Sequence, residues 1–547
     1  MKTRTISALI FFLLIGRICQ AQTNISAGVD SIFAAYTNNG PGCAVAVVMN
    51  GQVVFTKGYG LASMEYKVPI TASSIFDVAS LSKQFTGFAI STLIQQGKIS
   101  LNDDVRQYLP DFPKFEKVIT IGNLVHHTSG LRDWPEALEA AGWRYSELCS
   151  FDDIMNMVKH QKELDFEPGS EHFYSNTGYN VLAAVIEKVT GKTFREWTSE
   201  NIFKPLGMDA SFFLDDSRKV IPGLASSYYP DNDAFVKSTD ILTAYGSSSL
   251  YTSAADLAKW TIAFEKAIDA KDPVYTRMLE GTTLNNGTKI AYGFGLETED
   301  YNGYKSVVHT GAWAGYRTII RMFPNQKLAF IVLGNANDNN LSGGLTGKLM
   351  GLFLEKKNNT ATPTKITESY HPANAVLNKY TGNYKWGGGE VAITQDKGVL
   401  MFQYSGENAY PTVALSDSVF LLEAANKTVT FYTTKNGAVN AFTFRDKPAK
   451  RFMIYKTPPG ELPQYTGVYY SPELEAQYRV YVKDKKLFIH HFRRGDFELL
   501  SNTKDEFTGD IGTLIFYRDA KGISGFKLSG GRVRNIRFNK SKELPIN

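Results

Sequence analysis

Cysteine is scarce in this chain, with 3 residues among 547. A disulfide scaffold is thereby excluded, because stapled domains need several paired thiols. Cys43 lies in the apolar run "GCAVAVVMN" and is expected as a small buried residue; whether it pairs with Cys149 is not fixed by the sequence. Charge of one sign is not in excess either: 59 Lys and Arg face 54 Asp and Glu. That balance gives no electrostatic case for nucleic acid. After residue 16, no run reaches the roughly 18 apolar residues of a membrane helix. Nor is there a His-Glu-x-x-His pair, a glycine-rich phosphate loop before a helix or a dinucleotide fingerprint. His126-His127 and His490-His491 are adjacent pairs, which point apart and make poor co-ligands. No metal and no cofactor are expected.

What is present is ordinary for a globular protein: 43% hydrophobic and 21% charged residues. The length calls for two or three domains. The start, "MKTRTISALIFFLLIGRICQAQ", reads as an export leader, with Lys2 and Arg4 before an apolar stretch over 6–16. Cys19 and Ala21 are small residues placed for cleavage after Ala21. A lipid anchor on Cys19 is the rival, disfavoured by Arg17 and Ile18 just before it. Removing Lys2, Arg4 and Arg17 lowers the formal charge from +5 by three, to +2. The expected location is periplasmic or secreted.

Residues 43–60 read as two strands around the turn Asn50-Gly51. Near residue 79 the pattern becomes helical, with Leu81, Phe85, Phe88, Ala89 and Leu93 in phase and Gly97 as a stop. Residues 305–334 return to strands, with Pro324-Asn325 as a turn. Strands at both ends of this region predict one α/β domain whose sheet closes with its first and last segments. Residues 357–369 hold one large apolar residue, Ile366, and read as a linker. Beyond them the chain repeats at an offset of 85: "LNKYTGNY" with "LPQYTGVY", "TVTFY" with "TLIFY", and Gly437 with Gly522. Three matches at one offset mark a duplication, read as two small antiparallel β-barrels or sandwiches. The expected divisions are a leader 1–21, a first domain 22–356, a linker 357–374, and all-β copies 375–456 and 457–547.

Three short elements carry chemistry. In "FDVASLSKQF", Ser80 and Lys83 share a helix face, whereas Ser82 and Lys83 splay apart by about 100°. A serine needs a base, and a buried lysine can serve. The helix N-terminus adds N–H groups suited to an oxyanion. The bland alternative is a polar helix start with a solvated lysine; Ser-x-x-Lys is expected about twice by chance in such a chain. In "FYSNTGYN", Tyr174 and Asn176 are two apart and point to one side of an extended or looped segment. Tyrosine can relay a proton and asparagine can bind an amide. Tyr36-Thr37-Asn38 matches the same pattern and reads as a decoy in a polar turn. In "VVHTGAWAGYR", His309-Thr310-Gly311 ends an apolar strand, and Gly311 would admit a substrate backbone. His309 alone reads equally as a satisfied strand-end histidine.

In this order, Ser-x-x-Lys, Tyr-x-Asn and His-Thr-Gly resemble the serine β-lactamase and penicillin-binding superfamily. The chain resembles the class C β-lactamase-like branch, which includes penicillin-binding DD-peptidases, D-aminopeptidases and several esterases. "VHHTSGL" at 125–131 and "NDDVRQYLP" at 102–110 extend the likeness, which covers roughly residues 25–355. The resemblance implies an α/β (α+β) transpeptidase fold, an antiparallel sheet flanked by helices. Ser80 then looks like the acylated nucleophile, Lys83 like its base and Tyr174 like the proton carrier. Asn176 would bind a substrate amide, and the N–H groups of Ser80 and Ala312 would form the oxyanion hole. Many members have lysine where His309 stands. A histidine of pKa about 6.5 is mostly neutral at neutral pH, so carboxylate recognition should weaken. The variant is similar to one in D-aminopeptidases, which also carry two C-terminal β-barrels; lipocalin-like modules with another task are the alternative for those copies here. The implied function is an exported serine hydrolase acting on peptides with D-residues. A carboxylesterase or β-lactamase shares the chemistry, and a non-catalytic peptidoglycan- or antibiotic-binding protein is the rival of another class. The partner is a small-molecule or peptide substrate, peptidoglycan fragments included.

Overall fold

A computed structural model describes residues 25–541, apart from 233, 240, 356–369, 387–388, 405–408, 423–426, 435, 445–446 and 454. The expected leader, with Cys19, and residues 357–369 of the expected linker lie outside the described residues. The chain divides into two compact units, residues 1–139 with 143–359, and residues 140–142 with 360–547.

In the first unit, β1 (Cys43–Met49) and β2 (Gln52–Tyr59) flank the turn Asn50-Gly51. Both turn residues are left-handed, φ 52° and 70°, as a tight hairpin of twisted strands requires. Further along come β3 (Glu297–Tyr301), β4 (Tyr304–Trp313), β5 (Tyr316–Phe323) and β6 (Leu328–Gly334). The six strands form one sheet in the order β3-β4-β5-β6-β1-β2, and each neighbour is antiparallel. Cys43 faces Gly334, so the first segment does close on the last. β1 is a continuous apolar run because both of its faces are covered. One face packs Val45, Val47, Ile319 and Val332 against Phe33 and Leu349.

Three helices position the site: α1 (Ser82–Gln95), α2 (Asn176–Thr190) and α3 (Ala254–Asp269). α1 buries Phe85, Ala89 and Leu93 in phase. Phe85 meets Trp260 of α3 with ring centroids 4.6 Å apart. Each such buried side chain contributes about 1.5–3 kcal/mol. α1 ends just before Gly97, which is left-handed at φ 67°.

The second unit holds two closed eight-stranded barrels, from Gly382–Trp386 to Lys447–Phe452 and from Gly467–Ser471 to Val533–Ser541. The choice between barrel and sandwich thus falls to barrels. The repeat extends to single atoms. Tyr384 donates to the Tyr380 carbonyl at 2.8 Å, and Tyr469 to the Tyr465 carbonyl at 2.7 Å, again 85 residues on. Aromatic rings fill both interiors: Phe431 and Phe442 lie 5.5 Å apart, Phe516 and Phe526 5.4 Å apart. Small barrels are packed this way when the lumen carries side chains rather than a ligand. Cys43 and Cys149 are buried free thiols. Among the described residues, no helix is long and apolar enough to cross a membrane.

Candidate active site

The chain enters the site through a strained turn. Ala79 is left-handed at φ 48°, unusual for a residue with a Cβ. Asp77 holds it, accepting from the Ala79 N–H at 2.7 Å. A short 3-10 turn, Ala79–Leu81, follows, so α1 starts at Ser82, three residues after the helical pattern begins. The turn leaves Ser80 half-exposed and Ser82 fully buried. Ser82 Oγ accepts from the Leu250 N–H at 3.1 Å, a structural task. Ser82→Ala is therefore expected to keep turnover within a few-fold. Stripping the Leu250 N–H of its partner should cost about 1–3 kcal/mol. Chemical denaturation beside an activity assay checks both outcomes.

Lys83 is fully buried. Its Nζ lies 3.0 Å from Ser80 Oγ, 2.7 Å from Asn176 Oδ1 and 2.8 Å from the Ser247 carbonyl. The amide and carbonyl oxygens can only accept. A neutral amine has two N–H donors and one lone pair, so those two oxygens use both donors and turn the lone pair towards Ser80 Oγ. An ammonium fits the same three contacts as a triple donor. The cluster thus accommodates the lysine on either side of a proton transfer. Tyr174 lies alongside, its ring centroid 4.8 Å from Nζ.

Asn176 is the first residue of α2, and Tyr174 precedes the Ser175 cap. Both carboxamide ends of Asn176 are engaged. Oδ1 takes Lys83, while Nδ2 and the backbone N–H donate to Asp133 at 2.9 and 2.6 Å. Asp133 is a buried carboxylate at the positive end of a helix. Sequence reasoning missed it; an acid between apolar Leu131 and Trp134 in "GLRDW" was the available signal. The Ser247 carbonyl had none, being backbone.

His309 lies on β4, buried, 8% exposed. Its Nδ1 is 2.7 Å from the Thr310 carbonyl, which only accepts, so Nδ1 carries the proton. Nε2 then accepts from the Tyr292 hydroxyl at 2.9 Å. Both ring nitrogens are occupied. Burial pushes the imidazole down to about 3, helped by the Lys83 charge and opposed by the Thr310 carbonyl. Between that value and about 6.5, the unfolded chain binds a proton that the folded one refuses. Stability is therefore full above the upper limit and falls as pH drops through the window. His126 and His127 are lowered by burial too, and act in the same direction. The expected loss for His309 between pH 7 and 5 is about 2 kcal/mol. Thermal melts at both values, with His309→Gln showing the shallower slope, test this.

Gly311 differs from expectation. A Cβ there would sit 2.3 Å from the Val78 carbonyl and 2.2 Å from Thr318 Oγ1. The missing side chain admits the protein's own turn, not a substrate backbone. Thr310 and Ala312 carry exposed side chains. β3 pairs with β4 only up to Val308, so the 309–313 edge is not covered by β3.

The "VHHTSGL" motif lies beneath these groups. His127 Nδ1 accepts from the Ser175 N–H at 3.2 Å, and its ring lies 4.3 Å from that of Tyr174. His126 Nδ1 is 2.9 Å from the Tyr292 carbonyl. Both histidines are thus buried supports under Tyr174 and Tyr292. Tyr36 of the second Tyr-x-Asn match donates instead to Asp338, apart from this cluster. Among the described residues, no group of three or more His, Cys, Asp or Glu could hold a metal ion.

The site thus sets an antiparallel sheet against helices, with Ser80 and Lys83 at the start of α1 and Tyr174 just before α2. The Beta-lactamase family model matches residues 29–355, and the chain belongs to that family. A D-aminopeptidase of Gluconobacter oxydans is 26% identical over 348 residues, 63% of this chain and 65% of that protein. A D-aminopeptidase of Brucella anthropi is 28% identical over 54% of this chain and 56% of its own length. The chain thus matches less than two thirds of either D-aminopeptidase. A penicillin-binding protein of Bacillus subtilis is 27% identical over 75% of this chain and 92% of its own. The octameric penicillin-binding protein homologue from Pyrococcus abyssi shares the fold. Its TM-score is 0.55 at 21% identity, covering 87% of this chain and 99% of that one.

Proposed function

We propose that this chain is an exported serine hydrolase that forms an acyl-enzyme on Ser80 and cleaves amide bonds in peptides with D-residues. The observation that carries the reading is the buried Lys83 amine, with two positions held by obligate acceptors and the third facing Ser80 Oγ at 3.0 Å. In the first half-reaction, the Ser80 proton passes to Lys83 as Oγ attacks the scissile carbonyl carbon. The N–H groups of Ser80 and Ala312 receive the oxyanion. The C–N bond breaks, and the amine leaves with a proton delivered through Tyr174. In the second, water gives a proton to Tyr174 and attacks the ester. Ser80 regains its proton, and the acid is released.

The amide preference is supported by the two D-aminopeptidases among the relatives. It is also supported by His309, whose occupied ring nitrogens supply no cation for a substrate carboxylate. Weak recognition of C-terminal carboxylates separates this reading from a β-lactamase. Faster cleavage of an ester than of the matching D-aminoacyl amide would favour an esterase. Asn176 acts here as a holder of Lys83, through its Asp133 anchor. The barrels serve as spacers, consistent with their ring-filled interiors.

The test is intact mass after exposure to a fluorophosphonate, with the adduct mapped by peptide. One adduct on Ser80 supports the mechanism. None, in folded protein, rejects it and leaves a binding role.

A further inference from the structure

Alternation along β4 puts His309, Gly311 and Trp313 on one face. Gly311 is the residue against the Val78 carbonyl, two residues before Ser80. His309 lies to one side of that contact and Trp313 to the other, each one alternation step away. At the Trp313 side stands a group of four aromatic residues. Trp134 lies 5.6 Å from Trp313 and 5.8 Å from Trp143, centroid to centroid. Tyr145 lies 4.9 Å from Trp143 and 5.8 Å from Trp313.

The group is graded in exposure. Trp134 is 1% exposed and Trp143 8%, whereas Tyr145 is 50% exposed and Trp313 is half-buried. Two buried indoles thus back two accessible rings. The backing is tied to the cluster by a second route, since Trp134 follows Asp133, which holds Asn176. Held aromatic faces beside a reactive group are what an apolar substituent packs on at little ordering cost.

We infer that Trp313 and Tyr145 form the wall of a subsite for a bulky apolar substituent, an aromatic ring above all, next to the scissile carbonyl. The inference rests on Ser80 being the acylated residue. It narrows the substrate class to amides whose residue beside the cleaved bond carries a large apolar side chain.

The test uses the full mature chain and two fluorophosphonates that differ in one substituent, methyl against benzyl. The rate constant of adduct formation at Ser80 is read by mass for each. The benzyl reagent should react about tenfold faster or more, the range in which apolar pockets discriminate. Trp313→Ala should bring the two rates together, and Trp313→Phe should restore most of the difference. Equal rates in the unaltered protein, or a preference that survives Trp313→Ala, overturn the subsite and leave the acyl-enzyme standing. No Ser80 adduct with either reagent overturns both. Should Trp313→Ala fail to fold, the rate ratio in the unaltered protein still decides.

Discussion

Lys83→Ala is expected to lower kcat/KM by a factor of about a thousand or more, the upper range for losing a positioned base. The buried amine faces Ser80 Oγ at 3.0 Å with its other contacts fixed. Under the proposed mechanism, deleting it removes the acceptor for the Ser80 proton. It also strips Asn176 Oδ1 and the Ser247 carbonyl of a donor, so some stability should go as well. That complication is met by Lys83→Arg. Guanidinium keeps the positive charge and several donors, yet cannot release a proton to become a base. If Lys83 acts by accepting a proton, both variants lose turnover, and Ser80 labelling slows in both. If it acts only as a fixed cation, Lys83→Arg retains much of the rate. Steady-state kinetics and adduct formation, on protein whose melting transition is intact, tell the two apart. Turnover within tenfold of the unaltered protein in Lys83→Ala would sink the proposed role.

The frame of the first domain was legible because its signals are local. Asn50-Gly51 sits at a hairpin, and the apolar runs at 43–49 and 328–334 pair edge to edge in the centre of the sheet. The duplication was legible because a barrel core repeats its own chemistry. Tyr380 and Tyr384 recur as Tyr465 and Tyr469 in the same hydrogen bond. Within the site, the choice of Ser80 over Ser82 followed from helical phase, and the chain places Ser80 Oγ on Lys83. The surroundings of Lys83 were not legible. Asp133, Ser247 and Tyr292 come from loops distant in sequence, and one of them contributes only a carbonyl. No periodicity marks such residues. The neutrality of His309 was expected from its ordinary pKa, but its cause is local. Burial, with the Lys83 charge beside it, holds it neutral far below neutral pH, against the pull of the Thr310 carbonyl. The left-handed Ala79 broke the helical rule by which α1 was placed, and backbone strain of that kind gathers where a reactive group must be exposed.

Gly311→Ala is expected to lower kcat by about 10²–10³, with a smaller change in KM. The reason is the register between β4 and the turn that carries Ser80. Thr318 Oγ1 donates to the Val78 carbonyl at 3.0 Å, and the bare Cα of Gly311 completes the contact. A methyl group there would meet Val78 O and Thr318 Oγ1 at 2.3 and 2.2 Å. Neither neighbour can yield alone: one is backbone next to strained Ala79, the other is a β-branched side chain inside the sheet. β4 must therefore move off the turn. Ala312 is the next residue on β4, so its N–H moves away from that of Ser80. Two donors that should converge on one oxyanion then diverge, which is felt in the transition state far more than in the bound substrate. Overpacking of this kind should also cost about 1–3 kcal/mol of stability. The discriminating measurement is the split between kcat and KM in protein shown to be folded. A variant that loses stability yet keeps kcat would place the oxyanion donors elsewhere than on Ala312. A fall in kcat with KM little changed ties Gly311 to catalysis through the backbone it lets approach.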